Sequence, residues 1–172
     1  MSQAVSQALS QAEPSTTANP SLGHRLSLYP TQYLVAMAMV SVGPLLDPML
    51  REFGVPLSRG GLVSAGMFLG NITAIITLNT VLARVPTKAT LFGGMALQGV
   101  ALVLAGLVSW DLWSLFVMYA LVGFSGALMN ATCWMWISAH MHQDRAGAAL
   151  RMVMFFALAM MSVPLFIGVA LG

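Results

Sequence analysis

Polar side chains are scarce in this sequence, so the ones inside its apolar stretches are the first candidates for chemistry. Asp47 is the single acid within the apolar runs proper. A carboxylate near the outer end of such a run could hold a proton or a cationic solute, or stay hydrated as a purely structural acid. Gln32, Gly43 and Asp47 are spaced i, i+11 and i+15, which sets them on one face of a helix. Asn71, Thr73, Thr77 and Asn79 supply the polarity of a second run. Asn130 is the sharper clue, because an amide surrounded by hydrocarbon must find a partner or water. It shares a small, polar helix face with Tyr119, Gly123, Gly126 and Trp134. That face lines either another helix or a water-filled cavity. Arg151, early in the last run, is a substrate anchor or a cation that snorkels to an interface.

Several kinds of chemistry lack their residues. His140 and His142 are two positions apart at the end of a run, so they point to different faces, whereas a helical metal pair needs i, i+4. No metal site is expected. Cys133 lies within an apolar run and reads as a small hydrophobe. No glycine-rich loop is followed by Lys and then Ser or Thr, so no nucleotide motor and no cofactor is implied. The absence of a converging nucleophile, base or metal set argues against an enzyme. A net charge of +2 and a pI near 9.1 reflect two surplus bases and give no footprint for nucleic acid.

The elements that position these residues follow from composition. Of 172 residues, 58% are hydrophobic and 7% charged, with mean hydropathy +0.84; soluble domains carry about 25% charged residues. The apolar residues fall in runs near the roughly 20 residues that span a bilayer as helix. The expected fold is therefore an all-α, polytopic membrane protein with five transmembrane helices over residues 31–50, 60–83, 88–109, 112–139 and 147–171. Residues 1–28, rich in Ser, Gln, Thr and Pro and including His24 and Arg25, read as a disordered cytoplasmic tail; residues 29–172 form the helical domain. Ser58, Asp111 and Asp144 are placed to cap the second, fourth and fifth spans. Gly66 and Gly70 form a GxxxG pair that continues through Thr73, Thr77 and Thr80 and invites close helix approach or, less simply, substrate contact. The third span is the most featureless. Arg25, Arg84, Lys88, Arg145 and Arg151 would lie on one side, which by the positive-inside rule is the cytoplasm, with Arg51 and Arg59 outside. Trp110 and Trp113 flank an outer connection, where indoles favour the interface. The expected location is the inner or plasma membrane, N-terminus inside.

The loops suggest a family. The stretch GPLLDPMLREFGVPLSRGGLVSAGMFLGN resembles the Gly-Pro exit, short outer loop and Gly-rich second helix of major facilitator superfamily transporters. NTVLARVPTKATLFGG occupies the place of that family's cytoplasmic motif A: Asn79 stands for the first Gly, Ala83 for the acid and Pro86 for the second Gly, while Arg84 and Lys88 keep the positive charge. LVGFSGALMN is similar to the Gly-rich fourth helix, with Tyr119 where proton-coupled exporters often carry a base. QDRAGAALRMVMFFALAMMSVPLFIG is similar to the fourth loop and fifth helix, with Pro164 at the place of the antiporter-motif proline. The resemblance covers residues 29–172. It implies the first five helices of a six-helix N-terminal half, with a substrate site near the midplane and rocking of two halves. Under it, the chain is part of a small-solute transporter that needs its C-terminal half or a partner subunit, and Gln32, Asp47, Asn71, Tyr119, Asn130, Trp134 and Arg151 are cavity candidates. The alternative is a transporter-derived structural or assembly subunit of a larger membrane complex.

Overall fold

The structure, a computed structural model, describes residues 22–80, 84–107, 111–141 and 144–171, the side chains of 22–27 and 171 excepted. Five helices follow one another: α1 (Leu22–Glu52), α2 (Gly61–Thr80), α3 (Thr87–Leu107), α4 (Leu112–His140) and α5 (Arg145–Leu171), with a 3-10 turn, Leu57–Arg59, before α2. No strand occurs among the described residues. All five helices are long and apolar enough to cross a membrane, the pattern of a multi-pass membrane protein. The outer surface agrees: Phe68, Phe92, Phe166 and Val169 are 61%, 72%, 67% and 86% exposed. Large apolar side chains exposed to this extent mark contact with lipid or protein rather than water.

Local signals set some of the helix ends. Asp111 caps α4: its carboxylate accepts from the Ser114 N–H at 2.8 Å, and the Ser114 hydroxyl accepts in return from the Asp111 N–H. Ser58 does not cap α2. It sits inside the 3-10 turn, whose end is closed by the Gly60 N–H donating to the Leu57 carbonyl. Gly54, at φ 62°, takes the left-handed conformation that turns the chain after α1.

Helix α1 begins at Leu22 rather than Thr31 and runs through Pro30, as well as Pro44 and Pro48. The segment expected as tail is therefore helical over residues 22–28, and residues 1–21 lie outside the described residues. A proline inside a helix loses one backbone hydrogen bond and tends to kink the axis. Packing offsets that loss here. Leu28 and Tyr29, the two residues before Pro30, are buried against Cys133, Ile137, Met141, Ala148 and Met152, and the Tyr29 ring stacks on Phe155 at 5.4 Å.

Helix α4 is the centre of the bundle. It packs most extensively on α2, then on α3 and α1, while α5 leans chiefly on α1. The α2–α4 seam is a contact of backbones. A Cβ at Gly66 would stand 2.6 Å from the Phe116 carbonyl oxygen, one at Gly70 would strike the Ala120 carbonyl, and one at Gly123 the Met67 carbonyl. The buried stripe continues through Ala74 and Leu78, not through the expected threonines. Thr73 and Thr80 are exposed, and Thr73, Thr77 and Thr80 return their hydroxyls to the carbonyls of Leu69, Thr73 and Ile76 on their own helix. Steps of four residues hold the stripe because each adds little rotation to a helix of about 3.6 residues per turn. Without a hydrophobic drive between helices in lipid, this van der Waals seam carries much of the association.

Substituting Gly70→Val should destabilise the purified protein by about 1–3 kcal/mol through overpacking. Gly43→Ala, where nothing lies within 4 Å of the added Cβ, should leave stability nearly unchanged. Equilibrium unfolding in mixed micelles measures both, and equal effects would remove the seam from this role.

Candidate functional site

Three of the expected residues come together. Gln32 on α1 and Asn130 on α4 each lie ten residues from a helix end, Leu22 and His140 respectively, so each is about 15 Å into the bundle along its helix. Gln32 Nε2 donates to Asn130 Oδ1 at 3.1 Å, and Trp134 Nε1, one turn further along α4, donates to the same oxygen at 3.1 Å. The two donors occupy both lone pairs of that carbonyl. Asn130 thus joins two helices and orients an indole that is itself 37% exposed. Two capacities remain: Gln32 Oε1 is buried without a partner, and Asn130 Nδ2 donates to no described residue. The cluster is neutral and can recognise a solute by hydrogen bonds and by the indole face, but it holds no group able to make or break a covalent bond.

The residues next to Gln32 extend the network. Tyr33 shares a hydrogen bond of 2.9 Å with Ser162 on α5, and the Leu34 carbonyl accepts from Gln98 Nε2 on α3 at 3.4 Å. Gln98 lies on the helix that sequence reading left without features. It is only 5% exposed, and its Oε1 also lacks a partner. The signal that could have found it is the one used for Asn130, an amide at the middle of an apolar run.

The other candidates lie apart, since no hydrogen bond or ion pair among the described residues joins them to the cluster. Asp47 pairs with Arg51 at 2.8 Å, one turn away, with half its side chain exposed. The shared face of Gln32, Gly43 and Asp47 is therefore split between a buried amide and an exposed ion pair. Tyr119 is buried among Val42, Val63 and Leu115, and its hydroxyl contacts the Met49 sulfur at 3.8 Å. Asn71 is half-buried on α2 with its Oδ1 unpartnered. Arg151 is held at the start of α5, donating to the Gly147 carbonyl at 3.1 Å and pairing with the Asp144 carboxylate. Arg145 donates to Ser138 at 2.9 Å, tying the α4–α5 connection to α4.

The remaining assignments divide in the same way. Gly126 faces α1, with Met39 Cε and Val35 Cγ1 at 3.3 and 3.6 Å from an added Cβ, while Gly123 faces α2. Asn79, Arg84, Pro86 and Lys88 are all exposed, and Arg84 and Lys88 form no ion pair among the described residues. Ala83, Trp110 and His142 lie outside the described residues. His140 stacks on Trp136 at 4.8 Å, with its Nδ1 3.1 Å from the Trp136 carbonyl. Comparison with protein-family models, curated proteins and solved structures found no match to this chain.

Replacing Asn130 with Leu strands the Gln32 amide and the Trp134 N–H, a loss of about 1–3 kcal/mol for unsatisfied buried groups. Gln32→Leu should cost less, and the double variant should recover part of the Asn130→Leu loss. A double-mutant cycle on unfolding free energy checks this, and strict additivity would mean that the bond does not couple the two helices.

Proposed function

We propose that these five helices form part of the N-terminal half of a secondary transporter of the major facilitator type, moving a small solute across a cell membrane. The observation that carries the reading is the Gln32–Asn130–Trp134 cluster. A group of amides that served packing alone would gain by closing every hydrogen bond, because open ones cost free energy in apolar surroundings. This cluster keeps a buried acceptor, an amide donor and a partly exposed indole within one helical turn of each other. Such an arrangement suits a neutral solute that enters and leaves. The loop and helix resemblances described above add the family, and the unequal distribution of bases adds the orientation, with the start of α1 in the cytoplasm. Helices α1, α2, α4 and α5 would face the solute path, and the remaining helices would come from a C-terminal half or a partner subunit.

A second reading, a structural or assembly subunit derived from such a transporter, is favoured by one feature: Arg84 and Lys88 keep the charge of a cytoplasmic latch whose acid is replaced by Ala83.

Two measurements separate the readings. Trp134→Cys, probed with a water-soluble maleimide in membrane vesicles, should be modified readily, whereas Phe166→Cys on the apolar surface should not. In cells expressing the chain together with its C-terminal half or partner subunit, at least one solute should lose accumulation tenfold or more on Asn130→Leu, the equivalent of about 1.4 kcal/mol of binding. A Trp134→Cys that stays as unreactive as Phe166→Cys, with unchanged solute profiles, would sink the transport reading and leave the structural one.

A further inference from the structure

Charge is divided unevenly between the two ends of the bundle. Among the described residues, the end formed by the close of α1 and the starts of α2 and α4 carries Arg51 and Arg59 against Asp47, Glu52 and Asp111. The opposite end, where α2 passes into α3 and α4 into α5, carries Arg84, Lys88, Arg145 and Arg151 against Asp144 alone. That acid pairs with Arg151, and Arg145 donates to Ser138. Arg84 and Lys88 are exposed, and neither makes an ion pair or a side-chain hydrogen bond among the described residues. Their charges therefore call for an anion from outside the described bundle.

We propose that the α2–α3 connection binds an anionic phospholipid, its phosphate held by Arg84 and Lys88 and an acyl chain lying along the exposed apolar face of α3. The two bases are four residues apart, a stretch of chain that spans at most about 14 Å, so one headgroup can meet both. Phosphate suits the pair, since a guanidinium donates to two of its oxygens and an ammonium adds a point charge. Apolar surface begins beside the bases. Val85, between them, is 37% exposed, and Phe92, one turn after Lys88 on the same face, is 72% exposed. Ala96, a further turn along, is exposed as well. At about 1.5 Å per residue, Phe92 and Ala96 lie roughly 6 and 12 Å beyond Lys88, within the depth of one leaflet, about half of a 30 Å hydrocarbon core.

Two features favour an anionic lipid over its competitors. A soluble anion would answer the charge and leave Phe92 without a partner, whereas a phospholipid supplies a phosphate and a chain in that order along the helix. A zwitterionic headgroup brings an ammonium that needs an acid beside it, and the one described acid at this end is already taken by Arg151. In the orientation proposed above, this end meets the cytoplasmic leaflet, whose surface is negative. The site does not rest on the transport reading, because a structural subunit with the same connection would bind the same lipid.

The test uses the full chain in vesicles of phosphatidylcholine with a minor fraction of phosphatidylglycerol in both leaflets. A bimane label at Phe92→Cys reports quenching by either lipid brominated on its acyl chains; the native Cys133 is buried and does not compete for the label. At equal mole fraction, brominated phosphatidylglycerol should occupy the site about five- to tenfold more strongly than brominated phosphatidylcholine. Arg84→Gln combined with Lys88→Gln should remove the preference, and the charge-preserving pair Arg84→Lys with Lys88→Arg should keep it. A label at Leu107→Cys, exposed at the far end of α3, should show no preference. Equal quenching by the two lipids at Phe92→Cys overturns the proposal, as does a preference that survives the double Gln variant or that Leu107→Cys shows equally. Loss of the preference to inorganic phosphate, beyond the loss caused by sodium chloride at matched ionic strength, overturns it in favour of a soluble anion.

Discussion

Three consecutive residues of α1 make hydrogen bonds to three different helices, and the arrangement of the bundle follows from that. Gln32 reaches Asn130 on α4, Tyr33 reaches Ser162 on α5, and the Leu34 carbonyl receives Gln98 from α3. Successive side chains on a helix point about 100° apart, so neighbouring residues naturally address different neighbours. In apolar surroundings each of these groups would be costly if left unpaired. Polar pairing at one level therefore specifies which helices surround α1, while leaving most of the contact area to apolar packing.

Helix α4 answers with a division of labour along its length. At Gly123 it lies against the Met67 backbone of α2, and at Gly126 it admits Met39 and Val35 of α1. Where backbones touch, no space remains for a side chain to serve a ligand. One turn beyond Gly126, Asn130 meets Gln32 of α1 and also receives the Trp134 indole N–H. The same residues that tie α1 to α4 thereby retain the unused hydrogen-bonding capacity on which the transport proposal rests.

The charged residues work at the ends. Asp47 with Arg51, and Asp144 with Arg151, are partly exposed pairs, of a kind that contributes about 0–1 kcal/mol in water. Arg151 also holds the Gly147 carbonyl, and Arg145 holds Ser138, so the short α4–α5 connection is fastened on both sides. These contacts define where helices stop more than how tightly they pack.

Much of this was legible in residue order. Run length and scarcity of charge determined five membrane-length helices, Asp111 determined where α4 starts, and Gly66 with Gly70 determined that α2 meets a neighbour closely. These are local properties, readable because a span, a cap or a glycine needs only a few adjacent positions to act. Asn130 could be singled out for the same reason, as an amide within hydrocarbon. Its partner could not, since Gln32 is 98 positions away and many polar residues are equally plausible from spacing alone. The tertiary structure decided that Gln32, rather than Asp47 or Tyr119, completes the cluster, that Ala74 instead of Thr73 carries the α2 seam onward, and that Gln98 is a buried group with an open acceptor. It also decided that α1 continues through Pro30, because Tyr29 and Leu28 gain contacts with α4 and α5 that a lost backbone hydrogen bond does not outweigh. Each of these outcomes depends on how helices distant in sequence pack side by side, a competition among whole faces that no short window of residues contains.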